Sequence, residues 1–305
     1  MSKATRLRQQ SAREKIAAQR AAARRAEIRR RALITAGSVI VVIAIVVAFV
    51  VIKLSSSNSP SSGSGGVDGT VLPASVVKNI TGVPASTLNT VGLGSVPSFM
   101  TTDEGGAPAI TKISNKALTS GGKPELLYIG AEFCPFCGAE RWGMAVALSR
   151  FGTFTTPLRG FHSSSTDTDP NTPTLTFYKA GYSSKYLVFT PVENETVTEA
   201  PLQSTTAAQE ALWKKYDTGS DGYTGYPFID IDNKYIIKTP TYDPGVLAKM
   251  SWAQVAAALH DPSSPVAQGA DGTANLITAA ICKVTGGQPG SVCKSAGVVK
   301  ASSSL

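Results

Sequence analysis

Histidine and cysteine are scarce. The 305-residue chain has two His, His162 and His260, and four Cys, none of which precedes residue 134. With two imidazoles and four Met, the ligands for a His-rich zinc centre or a cuprous site are mostly missing. There is no phosphate-cradling Gly-rich loop, no Ser-His-Asp arrangement and no internal repeat. Charge is also sparse, at 16% of residues, and residues 32–52 carry none at all.

Positive charge is nearly confined to one end. Eleven of the 29 Lys and Arg lie in the first 31 residues beside only two acids, Glu14 and Glu27. The remainder holds 18 basic and 19 acidic side chains and is close to neutral. A nucleic-acid-binding domain should carry its positive charge on a folded face, so no nucleic acid partner is expected. Residues 32–52, rich in Val, Ile and Ala, are long enough to cross a bilayer core of about 30 Å as a helix. Arg29-Arg30-Arg31 abut the start of this run, and positive residues stay cytoplasmic. The expected topology is a basic cytoplasmic arm (1–31), a transmembrane signal anchor (32–52) and a Ser/Gly-rich tether (53–70), with the rest outside the cytoplasm. A cleaved signal peptide is the rival reading, but its apolar core is normally ~7–15 residues. All four Cys then fall where disulfides persist.

The most informative motif is Cys134-Pro135-Phe136-Cys137. It follows the apolar run Leu126-Leu127-Tyr128-Ile129 and precedes a predicted helix, 138–151. A Cys-x-x-Cys at a strand-to-helix junction is a redox motif. The helix N-terminus lowers the pKa of the first sulfur, and the second lies close enough to close or resolve a disulfide. Pro135 suits the first helical turn. Half a zinc site and an inert disulfide are the bland alternatives. The second pair, Cys282 and Cys293, brackets a turn-rich stretch around Gly286-Gly287-Gln288-Pro289. It reads as a structural disulfide, contributing about 3 kcal/mol in the chain-entropy picture. A relay pair exchanging electrons with Cys134/Cys137 is the sharper alternative.

The remaining pattern is α/β. A helix broken at Gly82-Val83-Pro84 is expected over 73–93, with short strands over 99–118 and a buried strand over 125–131. A hairpin is expected between 175–178 and 185–191, a helix over 203–216, and strand–turn–strand over 225–237 with Asp232-Asn233-Lys234 as the turn. A terminal amphipathic helix follows over 251–260. Strand, Cys-x-x-Cys helix, strand, helix, Pro-led hairpin and helix is the thioredoxin order. The expected fold is therefore thioredoxin-like over 71–262, with an insertion at about 152–203 between its halves and a helical extension over 263–305 holding the disulfide.

The string from Gly122 to Cys137, continuing through Glu140-Arg141-Trp142 and Leu148-Ser149-Arg150-Phe151, resembles a prokaryotic family catalogued as domain of unknown function 929. His162-Ser163-Ser164-Ser165 and Phe228-Ile229-Asp230-Ile231 fit it too. The resemblance implies a branch of the thioredoxin superfamily, often membrane-anchored, and supplies no activity. Phe133-Cys134-Pro135-Phe136-Cys137 is also similar to the active-site segment of periplasmic disulfide oxidoreductases and glutaredoxins. That likeness implies that Cys134 attacks, Cys137 resolves, and a cis Pro227 lies beside the sulfurs, preceded by Tyr226. Strongly oxidising members carry His where this chain has Phe136, so Phe136 supplies no cationic partner to the thiolate.

The expected function is a membrane-tethered, extracytoplasmic thiol–disulfide oxidoreductase acting on protein dithiols and disulfides. It needs no dissociable cofactor beyond its redox-active disulfide and no metal, and a membrane partner would reset its redox state. The alternatives are a non-catalytic binding module or accessory subunit of a membrane complex, and metal delivery through the Cys pair. Glu132, two residues before Cys134, is either a pKa-tuning group or an ordinary exposed carboxylate. Asp230 and Asp232 are expected to share one face of a strand, and the cluster around Asp167 and Asp169 reads as loop chemistry. Protease added outside intact cells should cut the 53–70 tether and release the rest of the chain. Cleavage confined to the N-terminal arm would reverse the expected orientation.

Overall fold

The computed structural model describes residues 69–102, 108–219 and 222–305. The basic arm, the apolar run 32–52 and nearly all of the tether lie outside them. Among the described residues, no helix is long and apolar enough to cross a membrane.

The chain begins with β1 (Thr70–Val71), helices α1 (Ala74–Thr81), α2 (Ala85–Val91) and α3 (Val96–Thr102), and strands β2 (Thr111–Lys112) and β3 (Thr119–Ser120). Then follow β4 (Lys123–Gly130), α4 (Pro135–Ser149), β5 (Gly152–Phe154), β6 (Arg159–His162), β7 (Pro173–Thr176), β8 (Tyr182–Ser184) and β9 (Val188–Glu193). Helix α5 (Ala207–Asp217), strands β10 (Phe228–Ile231) and β11 (Tyr235–Ile237), and helices α6 (Trp252–Ala258), α7 (Gly272–Val284), α8 (Gly290–Cys293) and α9 (Ala296–Ala301) complete it.

The fold is mixed α/β around one mixed sheet. Strand β4 is central: it runs parallel to β9 on one side and antiparallel to β10 on the other, and β10 pairs in turn with β11. Burial on both faces explains why β4 reads as a continuous apolar run rather than an alternating one. Leu127, Ile129, Phe228 and Ile236 pack beneath Trp213 of α5. Leu126, Tyr128, Ile229, Ile231 and Ile237 join the larger core that contains α4 and α7.

Several expectations change. The hairpin expected between 175–178 and 185–191 does not form. Strand β7 pairs with β6, while β9 crosses to the central sheet beside β4. Both segments are short apolar runs, and such runs do not name their partners. Strand β9 therefore belongs to the central sheet although it lies within the 152–203 stretch read as inserted. Phe99 belongs to helix α3, not to a strand. Asp232 leaves the strand: Asp232 and Asn233 adopt φ of 58° and 54°, a left-handed pair that turns β10 into β11. Asp230 consequently shares no strand face with Asp232; its Oδ1 accepts the Asn233 N–H at 2.7 Å.

Helix α4 has almost no solvent-facing side, with every residue from Cys137 to Leu148 buried. One flank meets β7, where the Trp142 indole N–H donates to Pro173 O at 2.9 Å. Another meets α7 and the residues just before it so closely that a Cβ on Gly143 would stand 2.7 Å from Thr273 Cγ2 and 2.9 Å from Ala270 O. The segment beyond residue 262 is thus part of the same core, with Ala270, Ala274, Ile277 and Ile281 inside it. Cys282 and Cys293 are disulfide-bonded, with Cα atoms 5.6 Å apart, and the bridge joins the last turn of α7 to α8.

Two carboxyl groups are buried near this helix packing. Glu140 Oε1 accepts the Thr241 N–H at 2.5 Å and the Thr241 hydroxyl at 2.6 Å, and that hydroxyl also meets Thr273 Oγ1. Burial raises Glu140 to about 7 and Asp271 to about 8. The folded chain therefore holds protons that the unfolded chain releases above about pH 4. Their contribution is complete below that pH and is lost as pH rises through about 7 to 8. For Glu140 alone the loss is about 3 kcal/mol. Urea unfolding across pH 5 to 8 should show falling stability, and Glu140→Gln should flatten the slope.

Candidate functional site

The first cysteine is held by the helix it caps. Cys134 is the N-cap of α4 in an extended conformation, and Pro135 occupies the first turn. Its Sγ accepts the Cys137 N–H at 3.3 Å, answering one of the amide donors that a helix start leaves open. The two sulfurs are unlinked. Cys134 Sγ also faces the carbonyl of Tyr226 at 4.0 Å. The Tyr226–Pro227 peptide is cis, and through the Tyr226 carbonyl the residue preceding Pro227 stands beside the Cys134/Cys137 pair.

The partner loop is positioned by α5. The Trp213 indole N–H donates to Gly225 O at 3.0 Å and to Asp217 Oδ2 at 3.2 Å, and Asp217 Oδ2 accepts the Gly225 N–H. The Trp213 and Tyr226 rings lie 5.1 Å apart. The Tyr226 hydroxyl donates to Glu195 Oε1 and accepts from Asn194 Nδ2. These contacts fix the residue that stands over the sulfur.

The two sulfurs have opposite electrostatics. Cys134 is pulled below its ordinary value, first by its hydrogen bond with Cys137, against the effect of burial, with help from amide donors and Arg141. Cys137 is pushed well up, first by burial and then by its neighbour Cys134. A nucleophilic sulfur at a helix N-terminus is expected to be partly exposed, with Cys137 more shielded; Cys134 is instead 5% exposed, and Cys137 is at 0%. Phe133, Phe136 and Tyr226 pack over the pair, because the aromatic residues flanking the motif fold inward. Glu132 is buried too, at 3%, which removes the exposed-carboxylate reading.

Beneath the pair lies a group that sequence patterning missed. Arg141 is fully buried and forms a two-pronged ion pair with Glu193: Nε to Oε1 at 2.9 Å and Nη2 to Oε2 at 2.6 Å. Nη2 also donates to Ala131 O at 2.8 Å, tying α4 to the end of β4. The Tyr128 and Phe161 rings lie 5.7 and 5.5 Å from the guanidinium carbon. Gly130 permits this layer, since a Cβ there would meet the Tyr128 hydroxyl at 2.0 Å. The available signal was a Glu-Arg pair inside a helix that is otherwise small or apolar, leaving the charges no wet face.

The remaining candidates lie elsewhere or have other partners. The His162 ring lies 5.2 Å from that of Trp252, and His260 Nε2 meets Asn79 O at 2.9 Å. Cys282 and Cys293 are already bonded to each other. Among the described residues, no group of three or more His, Cys, Asp or Glu is arranged to hold a metal ion.

A family model described as Domain of unknown function (DUF929) matches residues 109–283, more than half of the chain. The match includes Cys134, Cys137, Pro227 and Cys282 and stops before Cys293. No curated protein and no solved structure matches the chain.

The site geometry sets an order of reactivity. Alkylation of the reduced protein should mark Cys134 before Cys137, with a pH midpoint below the ~8.5 of a free thiol. Its rate should be slowed by burial, and Phe136→Ala should raise that rate. Equal labelling of both sulfurs, or a midpoint above a free thiol's, would contradict the assigned electrostatics.

Proposed function

This chain belongs to the family described as Domain of unknown function (DUF929), and we propose that it is a thiol–disulfide oxidoreductase on a thioredoxin-like scaffold. The scaffold reading is supported by strand order: β9, β4, β10 and β11 lie side by side, with β4 parallel to β9 and antiparallel to β10. This is the arrangement expected when a Cys-x-x-Cys helix follows the central strand and a Pro-led hairpin returns beside it. The anchor at 32–52 and the tether at 53–70 complete the proposal, holding the domain outside the cytoplasm near the membrane surface.

One observation carries the chemistry. Cys134 caps a buried helix with its pKa lowered, faces the carbonyl preceding Pro227, and has a second thiol one turn behind it. A thiolate so placed is a nucleophile toward disulfides. The pair stores two electrons itself, so no dissociable cofactor enters. The substrates are proteins carrying dithiols or disulfides, and a membrane redox partner restores the pair.

The 5% exposure of Cys134 favours a second reading, a non-catalytic binding module or accessory subunit of a membrane complex. Trapping separates the two. Cys137→Ser should accumulate mixed disulfides through Cys134, visible on non-reducing gels and reversed by a reductant, and Cys134→Ser should accumulate few. A folded Cys137→Ser protein that captures nothing would leave the binding-module reading in its place.

A further inference from the structure

The resolving sulfur raises a problem that the helix terminus does not solve. Cys137 must become a thiolate to attack, yet it is completely buried and burial pushes its pKa well up. It also sits a turn inside α4, where the favourable field of the N-terminus falls off.

One cation lies on the same face. Arg141 follows Cys137 by four residues, the spacing that places side chains one above the other along a helix. Two guanidinium nitrogens are engaged by Glu193 and Ala131 O, while Nη1 is buried with no hydrogen-bond partner among the described residues. Glu193 is itself held by the Phe177 N–H at 3.0 Å. A buried guanidinium costs several kcal/mol in desolvation, and Glu193 offsets its charge without occupying every donor. The titratable groups acting on this centre are Cys134 at the N-cap of α4, Arg141 on α4, Tyr128 on β4, Glu193 on β9, and Tyr226 in the loop before β10.

We propose that Arg141, held by Glu193, is the positioning residue that offsets the negative charge Cys137 carries when it attacks the mixed disulfide. The inference rests on the thiol–disulfide reading for its biological use, but its electrostatic content does not. In the reducing direction, the Cys134 thiolate attacks a substrate disulfide. A Cys134–substrate bond forms and the first substrate sulfur leaves as a thiolate. That thiolate takes up the Cys137 proton. The Cys137 thiolate, beside Arg141, then attacks Cys134 Sγ, closes the Cys134–Cys137 disulfide and expels the second substrate sulfur, which is protonated by solvent. Two electrons pass from the pair to the substrate.

The test reads Cys137 directly. In the full-length reduced Cys134→Ser protein, the Cys137 thiolate is titrated by its ultraviolet absorbance. Replacing the ion pair by Arg141→Met with Glu193→Met avoids stranding one buried charge and should raise the midpoint by about one pH unit, a tenfold loss of thiolate. Glu193→Gln removes only the opposing charge and should lower it, while Arg141→Lys should stay near the parent. In protein that retains Cys134, single-turnover reaction with oxidised glutathione should then show resolution slowed by about tenfold in the double variant, with mixed-disulfide formation little changed. Should the double variant not fold, the opposite-signed Glu193→Gln shift and the Arg141→Lys control still decide the matter. Midpoints that do not move, or that move the same way in both variants, overturn the proposal. Midpoints that move as stated in a protein inert to oxidised glutathione would support the role of Arg141 and remove the oxidoreductase reading instead.

Discussion

A helix with no wet face is the constraint on which this structure depends. Helix α4 begins at the candidate site and then runs through the interior, so its polar groups have protein rather than water to answer them, and Arg141 Nη1 and Glu140 Oε2 are left without a hydrogen-bond partner among the described residues. Arg141 is answered from β9 and from the end of β4, Glu140 by Thr241, and the Trp142 indole by β7. The apolar side is closed by α7, which approaches to the limit that Gly143 allows. The strands beyond β6 and the C-terminal helices are the walls that such a helix requires, and the match to the family extends into α7.

The same constraint explains why two sulfurs three residues apart differ so much. Cys134 stands at the one point where α4 still offers unanswered amide donors, and those donors favour its charge. Cys137 has already entered the interior, where its own N–H is spent on Cys134 and burial dominates. The asymmetry therefore comes from depth along one helix. Phe133, Phe136 and Tyr226 extend the dry interior outward over the first sulfur, so little of it is open to solvent.

Much of the site was legible because its signals are local. A Cys-x-x-Cys between an apolar strand and a helix, and a Pro at the mouth of the next hairpin, name their own geometry through capping and missing donors. The turn at Asp232-Asn233 and the break at Gly82-Val83-Pro84 were legible for the same reason. The rest depends on partners distant in sequence. Nothing in the short runs 173–176 and 188–193 says that one pairs with β6 and the other with β4. Nothing within 263–305 says that it packs on α4 rather than standing apart. Arg141 was present in the sequence as a charged residue, but its meaning required knowing that α4 has no exposed side, a property of its neighbours. Glu132 and Cys134 were expected to be more open for the same reason.

The closing of α4 by α7 also has a consequence in time. A ribosome releases about 5–20 residues per second, so the start of α7 follows the Cys-x-x-Cys segment by roughly 7 to 27 seconds. Throughout that interval α4 lacks its last wall, and Cys134 and Cys137 are as accessible as any thiols in an unfinished chain. When α7 arrives it carries Cys282, and Cys293 follows shortly after, so four reactive sulfurs coexist before any is buried. Cys282 and Cys293 are only 11 residues apart, so their bond closes a short local loop, whereas the finished packing buries the other two. Order of synthesis therefore bears on which of the four cysteines meet first.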